Sequence, residues 1–248
     1  MSRLLDGEDV AAFLDRACER HGGVEAWNAV DRLSLRLDDL GGALPWLKGL
    51  GRTFPPPSWV DMWPHQRRAV FHDYPLPGEH GIFDAGRVLI SVDPAARPEG
   101  VSHRRTFTGL ARLRSWWPQD AVYFFGYALL HYVALPFSLR GQAIVDARRT
   151  RHGVELWFRF PDGADTHSRL EGFVFDDSGL LRRHDYRTEI LGPIFNGAHA
   201  GSEHRIFEGL LIASRRTVYV RPWHYVPGWG PIRTRLPLAI LRGRLRPG

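Results

Sequence analysis

Residues 154–186 read VELWFRFPDGADTHSRLEGFVFDDSGLLRRHDY, a series of short apolar and aromatic segments interrupted by two turn sequences. The interruptions are Pro161-Asp162-Gly163 and Asp177-Ser178-Gly179. Proline, aspartate, serine and glycine favour tight turns through their backbone preferences and local hydrogen bonds. Short segments bounded by such turns predict consecutive antiparallel strands.

The same pattern continues on both sides of this stretch. Leu33, Leu35 and Leu37 alternate with polar residues, which is the period of a half-buried strand. We find no glycine-rich phosphate loop, GxSxG elbow or HExxH motif. The spacing predicts a mainly β (α+β) fold with one large antiparallel sheet rather than alternating βαβ units. Further strand candidates are residues 67–74, 86–92, 102–108, 142–150 and 202–220.

Length and charge predict how the chain is organised. Its 248 residues correspond to about one large domain. The net charge of +6 comes from residues 209–248, which carry eight arginines and no acidic residue. We therefore predict a single domain over residues 1–232 and a basic tail over residues 233–248. Arginines and apolar residues in this tail favour weak contact with an anionic membrane. The tail lacks a nucleic-acid-binding signature, so a nucleic-acid partner is not expected.

The N-terminal residues predict an amphipathic helix and a cytoplasmic address. Acidic residues from Asp6 onward interrupt any apolar core of a secretory signal. Asp6 is placed to cap a helix that ends at Gly22-Gly23. Its apolar stripe consists of Val10, Phe13, Leu14 and Ala17. The single cysteine, Cys18, excludes an intramolecular disulfide and favours an inert, partly buried thiol. A peripheral position at the inner membrane, through the basic tail, is compatible with this address.

Residues 121–139 form an apolar segment without a formal charge, bounded by Asp120 and Arg140. The length is near that of a membrane span. Pro136 and the mid-segment His131 disfavour a span, since ionisable groups within a membrane are costly. We predict instead a helix over residues 119–134 packed against the sheet. Because Tyr123, Tyr127 and His131 are spaced four apart, they share one helix face. That face either satisfies its polar groups within a core or lines a ligand pocket.

Histidines and arginines concentrate in the second half of the chain. His167, His184, Tyr186, His199 and His204 would meet on one face if their segments were neighbouring strands. Strand alternation places His184 and Asp185 on opposite faces. Three interpretations remain open. The first is a metal site, although the histidines lack the close sequence spacing of typical metal ligands. The others are acid–base chemistry by a histidine with a shifted pKa and a structural network of buried polar groups. We expect neither a metal nor a cofactor.

Several motifs taken in order carry a resemblance to a known family. YFFGYALLHYVALPF, THS, RRHDY and AHAGSEHR resemble a bacterial protein family of similar length, which implies no activity. More coarsely, the opening HGGVEAWNAVDRLSLRL and the strand-rich body are similar to LolA-like proteins. That resemblance implies a curved antiparallel half-barrel with helices packed on its concave face. It also implies a role in carrying hydrophobic molecules.

Two functions follow as hypotheses. The first is a soluble binding protein for a hydrophobic small molecule of the lipid, polyketide or isoprenoid class, held in an apolar cavity. The second is a cofactor-free cyclase, isomerase or lyase that uses an acid–base cluster in the same cavity. Convergence of two or more histidines on one site favours the second. The candidate catalytic residues are His131, His167, His184, Asp185 and His199, and the candidate ligand-binding residues are Tyr123, Tyr127, Tyr186, His204, Trp116 and Trp157.

Overall fold

The internal contacts of the chain divide it into two compact units, and the single domain over residues 1–232 stays a prediction. The computed structural model describes residues 3–50, 54, 58–151, 153–192, 195–221 and 237–246. Unit 1 comprises Met1–Ala29 and Ala134–Pro237, and unit 2 comprises Val30–Val133 and Leu238–Gly248. Each unit contains a set of antiparallel strands and one principal helix. The mainly β fold class is confirmed.

The described residues of unit 1 form seven antiparallel strands in the spatial order β1-β7-β8-β9-β10-β11-β12. Helix α1 (Gly7–Arg20) packs on this sheet, with the rings of Phe13 and Phe175 5.5 Å apart. Asp6 caps the helix by accepting a hydrogen bond from the Asp9 amide, as predicted. The strands are β1 (Arg3–Leu4), β7 (Ala143–Thr150), β8 (Gly153–Arg159), β9 (Leu170–Phe175), β10 (Leu181–Arg187), β11 (Asn196–Phe207) and β12 (Leu210–Arg221), and a short helix α2 (Val24–Asn28) follows α1.

Unit 2 contains the antiparallel strand order β13-β2-β3-β4-β5-β6 and the predicted apolar helix. Gly81 and Gly126 let this helix approach the sheet, because a Cβ at either position would lie 2.5 Å from Val122 or Phe83. The elements are β2 (Leu33–Gly41), α3 (Ala43–Lys48), β3 (Ser58–Trp63), β4 (Arg68–His72), β5 (His80–Asp84), β6 (Arg87–Ser91), α4 (Pro118–Ala134) and β13 (Pro237–Arg246).

The apolar helix is buried in unit 2. Fourteen of the 17 residues of α4 are buried. Phe125 stacks near Phe54 at 4.6 Å, and Tyr123 lies 6.0 Å from Phe83, measured between ring centroids. Among the described residues, no helix has both the length and the apolar character that crossing a bilayer requires.

Three segments differ from their sequence assignment. Residues 102–108, a predicted strand, contain a 3₁₀ turn at His103–Thr106, which begins where Ser102 Oγ accepts from the Arg104 amide. Strand β9 begins at Leu170, so His167 lies in a loop and not in one of the neighbouring strands that its predicted place on the shared face requires. Residues 237–246, assigned to the basic tail, form strand β13 paired with β2. The side chains of β13 lie outside the part of the chain that the structure describes.

Candidate functional site

Strand register in unit 1 places four polar side chains on one sheet face. His184 on β10 lies directly opposite His199 on β11, and Tyr186 lies opposite Gly197. On the other side of β10, Glu171 of β9 lies opposite Tyr186. Directly opposite residues, and residues two apart, share a face of the sheet. Glu171, His184, Tyr186 and His199 therefore project from the same side.

A fifth side chain, His167, joins this face from the loop between β8 and β9. Its ring stacks on that of Tyr186, with centroids 4.0 Å apart and planes at 14°. The loop is held by hydrogen bonds of its backbone: the Ser168 amide donates to Glu171 Oε1 at 3.0 Å, and the Glu189 amide donates to the His167 carbonyl at 3.1 Å. We name the set His167, Glu171, His184, Tyr186 and His199 the histidine–tyrosine cluster.

The cluster is buried and internally hydrogen bonded. The Tyr186 hydroxyl lies 2.5 Å from His199 Nε2, and His184 Nε2 lies 2.8 Å from Glu171 Oε2. Ring centroids of the three histidines are 5.7 to 6.0 Å apart. None of the five residues is more than 4% exposed. Polar groups at this depth are stable only when hydrogen bonded, so the contacts specify one arrangement.

The electrostatics of the cluster favour a neutral His199. Burial lowers its pKa well below the usual value, and positive charge on His167, His184 or Arg216 lowers it further, while Glu171 opposes the shift. A neutral imidazole has one nitrogen that accepts a hydrogen bond, and in the tautomer protonated at Nδ1 the Tyr186 hydroxyl donates to His199 Nε2. This pair can therefore pass a proton between a phenol and an imidazole.

Small residues make room for the cluster. A Cβ at Gly197 would lie 3.0 Å from Cζ of the Tyr186 ring, so glycine lets this ring lie across the neighbouring strand. His184 stacks on Phe173, with ring centroids 4.6 Å apart and planes at 8°. Histidine and glutamate are also metal-ligand types. At 2.8 Å the side chains of His184 and Glu171 form a direct hydrogen bond.

Glu171 is the member that the sequence analysis missed. A glutamate inside the apolar strand LEGFVF is an unusual buried residue, and its two-residue spacing from Phe173 placed it on the core face. That spacing was the available signal. Glu171, and not Asp185, is the carboxyl partner of His184.

Two predicted residues of unit 1 lie on the opposite sheet face. Asp185 accepts hydrogen bonds from Arg183, with Nε at 3.1 Å. Trp157 donates from Nε1 to Glu155 Oε1 at 2.8 Å and covers Gly172, which lies opposite it. The predicted separation of His184 and Asp185 is thus observed, and the structure does not bring Asp185 or Trp157 to the cluster.

His204 and the predicted residues of unit 2 have other surroundings. His204 lies opposite Ala213, five residues beyond His199 on β11, and burial lowers its pKa. On α4, the rings of Tyr123 and Tyr127 are 5.2 Å apart, and His131 is buried with its ring 6.4 Å from that of Tyr132. Trp116 is buried, 5.0 Å from Phe124. That His131 shares a cavity with the late-strand histidines stays a prediction.

Unit 2 has a cavity of about 430 Å³ that the sequence did not predict. Asp61 on its wall accepts from Ser34 Oγ at 2.5 Å and from His72 Nε2 at 3.0 Å. The hydrogen bond from His72 is the largest cause of a lowered pKa at Asp61, with burial opposing it. These residues meet only through strand register, so no local motif announces them. The cavity is lined by Asp61, Trp63, Gln66, Arg68, Val70, His72, Pro94, Ala95 and Arg97.

Fold and site together define a mainly β protein with a buried histidine–tyrosine cluster on one antiparallel sheet. No family model matches the sequence, and no curated protein matches it. Among solved structures, the chain is similar to a LolA superfamily protein from Nitrosomonas europaea, with a TM-score of 0.48, 8% identity and coverage of 96% of this chain and 93% of that one. It is also similar to a DUF1329 family protein from Desulfovibrio piger, with a TM-score of 0.40, 12% identity and coverage of 96% and 92%.

Proposed function

We propose that the protein binds a hydrophobic small molecule of the lipid, polyketide or isoprenoid class, and that the histidine–tyrosine cluster receives its polar group. One observation carries the proposal: the five polar residues of the cluster share a face with Leu156, Phe158 and Phe173, which are fully buried. Binding sites for small molecules combine apolar walls with a few placed polar groups. This sheet face has that composition.

Stability alone gives little reason for such a cluster. Burying a polar group costs about 1–3 kcal/mol unless its hydrogen bonds are replaced. Apolar side chains on the same face would avoid that cost and would pack against the aromatic neighbours. Residues that break the rules of core composition concentrate at functional sites. The group on a ligand that best complements the cluster is a hydroxyl, carbonyl or carboxyl.

Replacing Tyr186 by phenylalanine tests the binding proposal. Tyr186→Phe keeps the ring that stacks on His167 and removes only the hydroxyl. We expect the affinity for cis-parinaric acid, a fluorescent fatty acid, to fall by up to about tenfold, the effect of one lost hydrogen bond. Native mass spectrometry of the protein purified from its own host would identify the retained compound and show the same loss.

The matched control for this test is Tyr219→Phe. Tyr219 lies opposite Ala198 on β12, so it projects from the other sheet face. We expect the affinity of Tyr219→Phe for cis-parinaric acid to equal that of the unaltered protein. Failure of the unaltered protein to bind any lipophile, or equal affinities for the two variants, would reject the cluster as the receiving site.

A second candidate function is acid–base catalysis on the same ligand. Two observations favour it. His167, His184 and His199 converge within the cluster, and the Tyr186 hydroxyl lies 2.5 Å from His199 Nε2. With His199 neutral, its Nε2 can take the hydroxyl proton while the Tyr186 oxygen removes a proton from a substrate carbon. Tyr186 then gives the removed proton to another substrate atom, and His199 returns the first proton to the Tyr186 oxygen. General acid–base groups contribute about 10²–10⁴-fold to a rate. Isomerisation, cyclisation or elimination needs no further cofactor for such a step.

His199→Gln separates catalysis from binding. Glutamine can still accept a hydrogen bond from Tyr186, but it cannot take up the proton. In a metabolite screen followed by chromatography and mass spectrometry, we expect turnover to fall at least about a hundredfold. Binding of cis-parinaric acid should persist, and His204→Gln on the same strand should leave turnover unchanged. Undiminished turnover in His199→Gln would eliminate the catalytic role of this pair.

A further inference from the structure

Unit 2 exposes a group of large apolar side chains on two segments that contact each other. Trp46 and Leu47 on α3 are 82% and 46% exposed, and Leu110, Leu113 and Trp117 are 83%, 63% and 66% exposed. Exposed leucines are common singly, but a contiguous group marks an interaction surface. We name these five side chains the Trp46–Trp117 surface.

The two segments are held together by buried contacts beneath the exposed side chains. The Lys48 ammonium donates to the carbonyl of Arg112 at 2.5 Å and to that of Arg114 at 3.2 Å. The Trp116 amide donates back to the Lys48 carbonyl at 3.0 Å. Lys48 and Trp116 are both buried. The two segments that carry the exposed side chains are therefore held against each other at Lys48 and residues 112–116.

Both segments of this surface contain basic residues and no acidic residue of their own. Residues 100–119 contain Arg104, Arg105, Arg112 and Arg114 and no acidic residue, and residues 40–50 contain Lys48 and no acidic residue. Arg114 is paired with Asp120 at the start of α4, whereas Arg105 is exposed. Long arginine side chains can lie along apolar groups while the guanidinium group reaches an anion.

We propose that the Trp46–Trp117 surface docks on a membrane containing anionic lipids. Tryptophan favours the headgroup level of a bilayer, where its ring is apolar on its faces and polar at its nitrogen. Leucine side chains insert slightly deeper, and arginines bind lipid phosphates. The surface supplies the tryptophans and leucines, and the exposed Arg105 complements the negative charge of the lipid headgroups.

Vesicle co-sedimentation of the full chain tests the proposal. We expect binding to vesicles of three parts phosphatidylcholine to one part phosphatidylglycerol, and weaker binding at high ionic strength, where surface charges are screened. The double variant Trp46→Ser, Trp117→Ser should bind at least about tenfold more weakly, because it removes two apolar anchors. Arg105→Glu should weaken binding by about fivefold or more, since each basic residue near an anionic surface contributes.

Matched controls keep the test specific. Leu76→Ser with Val92→Ser removes two exposed apolar side chains of the same unit, and Arg205→Glu reverses an exposed charge outside the surface. Both controls should bind like the unaltered protein, and melting temperatures should be unchanged throughout, as expected for surface positions. Equal binding to pure phosphatidylcholine, or full binding by the Trp46/Trp117 variant, overturns the proposal. Full binding by that variant would assign membrane contact to the C-terminal residues instead.

Discussion

Asp120→Ala is expected to lower the free energy of unfolding by about 3 kcal/mol, the lower end of the cost of breaking a buried ion pair. The Asp120 carboxylate is 1% exposed and accepts from two nitrogens of Arg114, from His103 Nε2 at 2.9 Å and from the Trp117 amide at 2.8 Å. Alanine leaves all of these donors without their acceptor. Because a third of the Arg114 side chain remains exposed, water recovers part of the loss.

The pKa of Asp120 also shows that its hydrogen bonds stabilise the buried carboxylate. Burial alone would raise its pKa, but hydrogen bonds from His103, Arg114 and the Trp117 amide outweigh burial and lower it. A carboxyl whose pKa is lowered by folding stabilises the protein above its unfolded pKa, and that contribution is lost as the pH falls through the folded value. The difference between Asp120→Ala and the unaltered protein should therefore shrink in acid.

Urea unfolding followed by tryptophan fluorescence measures this effect. Asp31→Ala, at an exposed position of the same unit, is the control and should change stability by no more than about 0.5 kcal/mol. Asp120→Asn retains an acceptor oxygen but no charge, so its free energy of unfolding should lie between those of Asp120→Ala and Asp31→Ala. If Asp120→Ala and Asp31→Ala unfold at the same urea concentration, the proposed role of Asp120 is wrong.

Asp120 also shows what the sequence could predict about α4. The charge-free segment bounded by Asp120 and Arg140 predicts a buried helix, and the structure has one. Pro118 at the first helical position and a carboxyl two residues later that reaches back to the Trp117 amide form a recognisable helix start. The contacts with His103 and Arg114 were not predictable, because they depend on how residues 103–114 fold back over the helix.

In unit 1, local patterns predicted strands and faces but not partners. Alternation correctly separated His184 from Asp185, because it depends only on neighbours in sequence. The pairs His184–Glu171 and Tyr186–His199 each join residues 13 positions apart, so they depend on strand register. Register is set by turns and by packing of the whole face, and a one-residue slip would reverse every side chain. The sequence therefore suggested the histidines and left out Glu171.

Gly153→Ala is expected to lower the free energy of unfolding by about 3 kcal/mol or more, through backbone strain and a steric clash. Gly153 has φ of +117°, a conformation that costs a residue with a side chain about 1–3 kcal/mol. A Cβ would also lie 1.9 Å from the carbonyl oxygen of Phe175 and 2.9 Å from the Cα of Asp176. Both contacts are with backbone, so neither can be relieved by rotating a side chain.

The strain and the clash can be separated with a second glycine of the same unit. Gly163 has φ of +80°, and a Cβ there would meet no atom within 4 Å. Gly163→Ala therefore carries only the backbone strain, and we expect it to cost about 1 kcal/mol. Equal melting temperatures for Gly153→Ala and Gly163→Ala would show that the steric clash at Gly153 adds no destabilisation, because β9 can move away from β8.

The Gly153 variant should also affect the candidate site. Gly153 precedes Val154, which pairs with Phe175 across β8 and β9, and β9 carries Glu171 and Phe173 of the cluster face. A side chain at Gly153 can be accommodated only if β9 moves away from β8, which shifts Glu171 relative to His184. At a temperature where Gly153→Ala is still folded, its affinity for cis-parinaric acid should therefore fall, while Gly163→Ala binds normally. Unchanged affinity in a folded Gly153→Ala would mean that ligand binding does not depend on the β8–β9 pairing that positions the cluster.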